Sequence, residues 1–278
     1  MANTLTGMPA AAAIYVQVRE HAAALDAPPC LAAVSVGAQP DDRAYLRSIA
    51  QAAAGCGITV RPVPLPADCA PEPLTDTLRA LSADGAVHGV LLLRPLPEAL
   101  RAQELLDTLD ARKDVDGMTT ASLGALVTGA AGFAPCTAEA CMELLRAHGI
   151  DPAGRRLTVV GRSLVIGRPA ALLLTRADAT VTLCHRKTPD LAACCRDAGI
   201  LLAAAGAPGL ITTDFVRPGQ IVLDAGATAL PDGTLRGDVA PEAAAITVCT
   251  PVPGGIGSVT TALLLRHTVQ AAENLRHF

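Results

Sequence analysis

The sequence predicts an α/β protein of two lobes, each built on a parallel sheet. Three observations carry that expectation. Short apolar runs alternate with longer alanine- and leucine-rich segments of helical period, as strands and helices do when they take turns along a chain. Two strand–helix–strand units lie upstream of Pro97, and parallel neighbours need crossovers of about a dozen residues or more, which the helical segments supply. The chain has 278 residues, of which 51% are apolar, enough to bury a core in each lobe.

Cys30–Gly37 (CLAAVSVG) reads as the first strand, ending at Gly37. Asp41–Gly55 follows as a helix whose leading aspartates suit the positive end of the helix dipole. Thr59–Val63 is a second strand, Pro73–Leu81 a helix, and His88–Leu93 a buried strand closed by Pro95-Leu96-Pro97. A second series starts at Thr137–His148, a helix with Thr137 as its expected cap and Glu139 in its first turn. Leu157–Val160 is a strand, Gly161–Gly167 a glycine-bounded turn, and Pro169–Arg176 a helix with an early proline. Strands at Ala179–Cys184, Ile200–Ala204 and Ile221–Asp224 and a helix at Pro189–Ala198 complete the second lobe. The tail after Val259 reads as an amphipathic helix. A cleft between two such lobes is a common place for a ligand.

Composition narrows the function classes. A net charge of −4 offers no concentrated basic face, which argues against a nucleic-acid partner. Nine cysteines show neither a C-x-x-C pair nor paired His/Cys zinc spacing, so no metal is expected. They read as small buried apolar side chains in a reducing compartment. The N-terminus lacks the pattern of a signal peptide, and the apolar run Val90–Leu93 is cut by Arg94 and Pro95. A cytoplasmic protein with no membrane partner is the expectation. Only two of the 22 cationic residues are lysines, Lys113 and Lys187, a skew that coding bias accounts for.

Four motifs could carry chemistry. Gly161-Arg162-Ser163-Leu164-Val165-Ile166-Gly167 lies between a strand and a helix, where free backbone N–H groups and the helix dipole suit a phosphate. It is not the full G-x-G-x-x-G fingerprint, and a plain strand-to-helix turn would also fit. His185-Arg186-Lys187 ends the next strand. An acid near that place binds a ribose 2′-hydroxyl in dinucleotide folds, whereas an arginine accommodates a 2′-phosphate, so NADP is favoured over NAD; a solvated basic turn is the alternative. Lys113-Asp114-Val115-Asp116-Gly117 sets two carboxylates beside a glycine, in a polar turn or facing a cleft. Thr250-Pro251-Val252-Pro253-Gly254-Gly255-Ile256-Gly257 makes a rigid wall poor in side chains, open to a flat ligand or serving as a connector. Tyr45, on the first predicted helix, could stack on such a ligand or pack in the core.

In this order the motifs resemble the methylenetetrahydrofolate dehydrogenase/cyclohydrolase family over nearly the whole chain. The matching segments are V-G-x-x-x-x-x-x-x-Y at Val36–Tyr45, P-L-P at Pro95–Pro97, K-D-V-D-G at Lys113–Gly117 and P-C-T at Pro135–Thr137. They continue as G-R-S-x-x-x-G-x-P at Gly161–Pro169, C-H-x-K-T at Cys184–Thr188, G-D-V at Gly237–Val239 and T-P-V-P-G-G-x-G at Thr250–Gly257. The resemblance implies a substrate domain at residues 1–136, completed by a C-terminal helix at 260–278 that packs back on it. It implies a Rossmann-like NADP-binding domain at 137–259, a folate substrate and a homodimer. Tyr45 and Asp116 would be the catalytic pair and would also bind substrate, Tyr45 along the pterin–aminobenzoate and Asp116 on the pterin ring. Pro251, Pro253, Gly254 and Gly255 would line the far wall. Gly161, Arg162, Ser163 and Gly167, with His185 and Arg186, would hold the cofactor.

The departures are as informative as the matches. The family's Y-x-x-x-K has Ile49 in its fifth position, and the glutamine before L-P-L-P is Leu93, followed by Arg94 where leucine is usual. That lysine and glutamine are credited with the cyclohydrolase step, which needs proton transfer near neutral pH. Isoleucine and leucine cannot transfer protons, and arginine is a poor base. The resemblance with these replacements implies a dehydrogenase with weak or absent cyclohydrolase activity. The same changes also fit a fold repurposed for another substrate, or a non-catalytic binding protein. Asp224-Ala225-Gly226-Ala227 replaces D-V-G-I, and Ser258-Val259-Thr260 replaces P-M-T, on the expected cofactor and substrate walls.

Overall fold

The computed structural model describes residues 4–230 and 232–275. The chain separates into two compact units. The first is Ala13–Cys136 with the residues from Thr261 on, and the second is Thr137–Thr260 with the residues up to Ala12. The last three residues of the expected tail lie outside the described residues.

Helix α1 (Met8–Ala23), whose residues from Ala13 belong to the first unit, precedes that unit's β1 (Cys30–Val36), α2 (Pro40–Ala54), β2 (Thr59–Leu65), α3 (Pro71–Ala83) and β3 (Gly89–Leu92). Short helices α4 (Gln103–Leu106) and α5 (Thr120–Thr128) follow. The strands pair in parallel in the order β2-β1-β3. Central β1 buries Leu31–Ser35 completely or nearly so, as a strand covered on both faces must. Edge strand β2 carries Pro62 and Pro64, which cannot donate to a ladder and so belong at a sheet edge. At the start of α2, the Gln39 N–H donates to the Asp42 carboxylate at 2.8 Å, which fixes the helix entry directly after β1.

The second unit contains α6 (Cys136–Ala147), β4 (Arg156–Val160), α7 (Gly167–Arg176), β5 (Thr180–Cys184), α8 (Leu191–Arg196), β6 (Ile200–Ala203) and β7 (Ile221–Asp224). A small hairpin of β8 (Thr228–Ala229) and β9 (Leu235–Arg236), helix α9 (Pro241–Ile246) and β10 (Val248–Cys249) follow, and then α10 (Ile256–Leu275), whose residues from Thr261 belong to the first unit. Five parallel strands lie in the order β10-β7-β6-β4-β5. From β4 the chain runs first to one side and then to the other, so the β4/β6 gap is the topological switch point where such sheets bind ligands.

The structure corrects the sequence reading at three places. Helix α1 was not anticipated, although Ala10, Ala11, Ile14, Val18 and Ala22 form its buried stripe. Thr137 does not cap α6, because the helix already begins at Cys136. The tail helix is not amphipathic in the usual sense. From Thr261 to Val269 only Arg266 is not buried, so this stretch is enclosed nearly all round rather than on one face.

Two buried carboxylates lace the carboxyl edge of the five-stranded sheet. Asp224, at the end of β7, accepts the N–H groups of Gly226 (3.0 Å), Asp238 (2.9 Å) and Val239 (2.9 Å). Asp238 accepts those of Ala205 (2.6 Å), Gly206 (3.0 Å) and Ala207 (2.7 Å), just after β6. Burial pushes the Asp224 carboxyl up, opposed by its backbone donors. Asp238→Ala removes the acceptor of three part-buried N–H groups and is expected to lower the unfolding free energy by about 1–3 kcal/mol. Asp238→Asn, which keeps one acceptor oxygen, should lose less. Equilibrium urea denaturation of the two variants measures the difference.

Candidate active site

Two sets of predicted residues converge, one within each unit. In the second unit the glycine turn leaves β4 at the switch point. A Cβ on Gly161 would lie 2.0 Å from the Ala204 carbonyl oxygen after β6, and one on Gly167 would lie 2.0 Å from the carbonyl oxygen of Gly161. Only glycine permits a turn folded this tightly on itself and on the neighbouring strand end. Ser163 helps to shape the turn, its Oγ accepting from the Ile166 N–H at 3.1 Å. Arg162, Ser163 and Leu164 are exposed at its tip.

The cationic turn stands beside it, because β5 pairs with β4 and the Gly161 N–H donates to the Cys184 carbonyl at 2.9 Å. His185 is tied inward. Its N–H donates to Thr188 Oγ1 at 2.9 Å, and its Nδ1 accepts from the Lys187 N–H at 3.2 Å. Arg186 and Lys187 are left exposed at the strand end. The glycine turn and the cationic turn thus leave adjacent strands at the same end of the sheet, strands spaced about 5 Å apart.

The proline–glycine segment leaves β10, the opposite edge strand of the same sheet. The Asp224 N–H donates to Thr250 Oγ1 at 2.7 Å, which ties its root to the end of β7. The residues around Gly7 hold it from the other side. Leu5 N–H donates to the Cys249 carbonyl (3.0 Å) and Gly7 N–H to that of Gly254 (2.9 Å). A Cβ on Gly7 would come within 2.1 Å of the Gly255 carbonyl oxygen. Pro251, Pro253, Gly254 and Gly255 therefore belong to the unit that carries the glycine turn. Leu5 and Gly7 were not singled out in the sequence, because nothing local marks a glycine that matters only to a segment some 250 residues away.

In the first unit Tyr45, on α2, meets Asp116, which follows a 3₁₀ turn at Ala111–Lys113. Tyr45 is 41% exposed over the whole residue, but its hydroxyl end is desolvated. That burial, and secondarily the Asp116 charge, push the phenol up, while a hydrogen bond with Thr261 pulls it down. The Asp116 carboxyl is pushed up to about 6, first by burial and then by neighbouring Asp114. Arg94, the Cys136 thiol and His267 act in the opposite direction. Asp114 itself is buried and occupied, accepting the Thr119 N–H and the Ser122 hydroxyl at 2.7 Å each. Thr261 and His267 were also missed; their only signal was polar side chains within an apolar tail.

The positions where the resemblance expects a lysine and a glutamine lie in the same unit as Tyr45 and Asp116. Ile49, one helical turn beyond Tyr45 on α2, is 0% exposed, and Leu93 is buried at the end of β3. Arg94 is exposed. Among the described residues no cluster of three or more metal-ligating side chains occurs, and no helix is long and apolar enough to cross a membrane.

The Asp116 shift sets a pH dependence. With its carboxyl raised from 3.8 to about 6, the folded chain keeps a proton that the unfolded chain has released in that interval. The stability from the neutral form is therefore complete below the lower value and is lost as the pH rises through the upper one. Asp116→Asn removes this loss. The variant should gain stability relative to the wild type across that window and keep the gain above it, as denaturation at stepped pH would measure.

Comparison with known proteins agrees with this geometry. Residues 5–116 match the tetrahydrofolate dehydrogenase/cyclohydrolase catalytic domain, and residues 135–276 match the NAD(P)-binding domain of the same family. A bifunctional protein FolD 1 of Rhodococcus jostii is 48% identical over 98% of this chain and 93% of its own. A bifunctional protein FolD of Chloroflexus aurantiacus is 45% identical over 92% and 90%. The crystal structure of the Campylobacter jejuni bifunctional FolD superposes with a TM-score of 0.93 at 37% identity, covering 98% of this chain and 99% of that one. The Trypanosoma brucei enzyme, solved with NADP and an inhibitor, gives 0.91 at 34% identity, covering 98% of each chain. The chain belongs to the tetrahydrofolate dehydrogenase/cyclohydrolase family.

Proposed function

We propose that the protein oxidises 5,10-methylenetetrahydrofolate to the methenyl form with NADP and has little or no cyclohydrolase activity. The observation that carries the second half is Ile49, fully enclosed one turn after Tyr45, where the resemblance expects a lysine. An isoleucine there can neither donate nor accept a proton, and neither can Leu93. Exposed Arg94 does not restore the function, because a guanidinium is not deprotonated under these conditions.

The residues present around the glycine turn support NADP as the cofactor. Glycines at 161 and 167 let the turn close tightly at the switch point, where a helix N-terminus favours a phosphate, and Arg186 on the adjacent strand end suits a 2′-phosphate. When bound, NADP supplies the hydride acceptor at C4 of its nicotinamide. The protein's task is mainly to position the two rings, since the folate nitrogen beside the one-carbon bridge provides the electron push. In this reading the Tyr45 ring lies along the pterin–aminobenzoate. Asp116, ionised above about pH 6, accepts hydrogen bonds from the pterin ring. Pro251, Pro253, Gly254 and Gly255 offer a flat wall fixed by Thr250 and Gly7. The functional unit is a homodimer, which sedimentation at assay concentration would test.

Hydride transfer and hydrolysis make different demands, and this separates the two activities experimentally. The purified protein should reduce NADP with methylenetetrahydrofolate yet leave methenyltetrahydrofolate to hydrolyse at its uncatalysed rate. Robust catalysed formation of the formyl product would overturn the proposal; cofactor binding without reduction would point to another substrate. Arg186→Asp should weaken NADP by roughly tenfold or more, through loss of a charge-assisted contact, and NAD far less. Equal losses would remove Arg186 from the 2′-phosphate. In the double variant Ile49→Lys/Leu93→Gln, the new lysine enters a fully buried position, where desolvation lowers its pKa toward that of a useful base. Cyclohydrolase activity should then appear in a stopped assay of methenyltetrahydrofolate.

A further inference from the structure

The reading of Asp116 as the pterin-binding carboxylate leaves open what aims it. The residue before it is held unusually well. The Val115 side chain is 0% exposed, and its methyls stand 2.8 and 3.0 Å from where a Cβ on Gly89 would be. The Val115 carbonyl faces two donors brought from distant parts of the chain. His267 Nδ1, in α10, lies 2.8 Å from that oxygen, and Cys136 Sγ, at the start of α6, lies 3.3 Å from it.

The two donors are not equivalent. A carbonyl oxygen can only accept, so Nδ1 of His267 must carry the hydrogen, and the ring is thereby committed to the Nδ1–H form or the imidazolium. Cys136 has one S–H to give. It faces both the Val115 carbonyl and the Asp116 carboxylate, and its sulfur is 3.6 Å from His267 Nδ1. The thiol is a shared and weak donor, whereas the imidazole is a strong one with a fixed direction. His267 is 3% exposed, and the Phe133 ring packs against it with centroids 4.9 Å apart and planes tilted by 33°. Its own orientation is therefore set by packing, independently of any substrate.

Rotating the 115–116 peptide plane would swing the Asp116 Cα–Cβ bond, so a donor that fixes the Val115 carbonyl also fixes where the carboxylate points. Upstream the segment is anchored by Asp114 on Thr119 and Ser122. Downstream, Gly117 N–H donates to the Asp114 carbonyl at 3.0 Å. His267 supplies the hold between these two anchors. We propose that His267 is the positioning residue for Asp116, acting through an Nδ1–H hydrogen bond to the Val115 carbonyl.

This proposal rests on the role given to Asp116 above, and three substitutions test it. An asparagine places its amide nitrogen as many bonds from Cα as Nδ1, so it can donate to the same carbonyl. A glutamine reaches toward the Nε2 position instead, and a leucine fills space without donating. His267→Gln and His267→Leu should raise KM for methylenetetrahydrofolate by roughly tenfold, the loss expected for one buried hydrogen bond, with KM for NADP unchanged. His267→Asn should recover most of that loss. The proposal is overturned if Asn and Gln behave alike, or if the two KM values rise together.

If the leucine variant does not fold, the Asn/Gln pair alone decides. Amide exchange across residues 114–119 gives an answer that does not depend on turnover: it should be faster in the Gln variant than in the Asn variant, and equal rates would overturn the proposal. Asp116→Asn separates the two failures. An unchanged folate KM in that variant removes Asp116 from the substrate, while the exchange comparison still judges His267.

Discussion

Buried carboxylates that bind backbone N–H groups are the interaction on which the loops of each unit depend. Asp224 and Asp238 close the carboxyl edge of the five-stranded sheet, and Asp114 does the same for the turn that carries Asp116. Parallel strands end in loops whose donors have no ladder partner, and a buried unpaired N–H costs about 1–3 kcal/mol. Asp224 and Asp238 each satisfy three of them, and Asp114 one together with the Ser122 hydroxyl, so each sets the shape of the loops around it. Ala204, which limits the space at Gly161, immediately precedes the three residues held by Asp238. The turn at Gly161–Gly167 is thus shaped by an acid that lies outside it.

Under the proposed function, the same economy of contacts accounts for a dehydrogenase without cyclohydrolase activity. Hydride transfer needs two rings held in register, and the glycine turn, the proline–glycine wall and Tyr45 are all rigid backbone or flat side chain. Hydrolysis of a methenyl cation needs a group that exchanges protons. At position 49 the fold offers an enclosed site on the same helix as Tyr45, which suits isoleucine without any disturbance of packing. The scarcity of lysine along the chain is compositional, since arginine serves equally on a solvated surface. Isoleucine at 49 is different in kind because charge and proton are both absent.

Much of the fold was legible in the sequence. Strong periodic segments such as Cys30–Val36 and Ile221–Asp224 were located to within a residue, because buried parallel strands are continuous apolar runs bounded by glycine, proline or aspartate. Helix α1 escaped because its buried stripe is mostly alanine, a weak apolar signal. Thr137 looked like a cap because threonine often is one, yet Cys136 already has helical geometry. The tail helix looked amphipathic because Arg266, His267 and Gln270 punctuate it, and two of these three point away from full exposure once the first unit closes around them.

The sequence by itself determined the fold class, the family, the glycine turn after one strand, the cationic turn after the next, and an isoleucine four residues after Tyr45. Each of these is a local pattern, written in consecutive residues or fixed spacings. Only the tertiary structure decided that β4 and β6 are neighbours, that Gly7 backs Gly255, that Ile49 is wholly enclosed, and that His267 reaches the carbonyl beside Asp116. Those contacts join residues tens to hundreds of positions apart. Strand order and helix packing create them, and neither is encoded in any short stretch of chain.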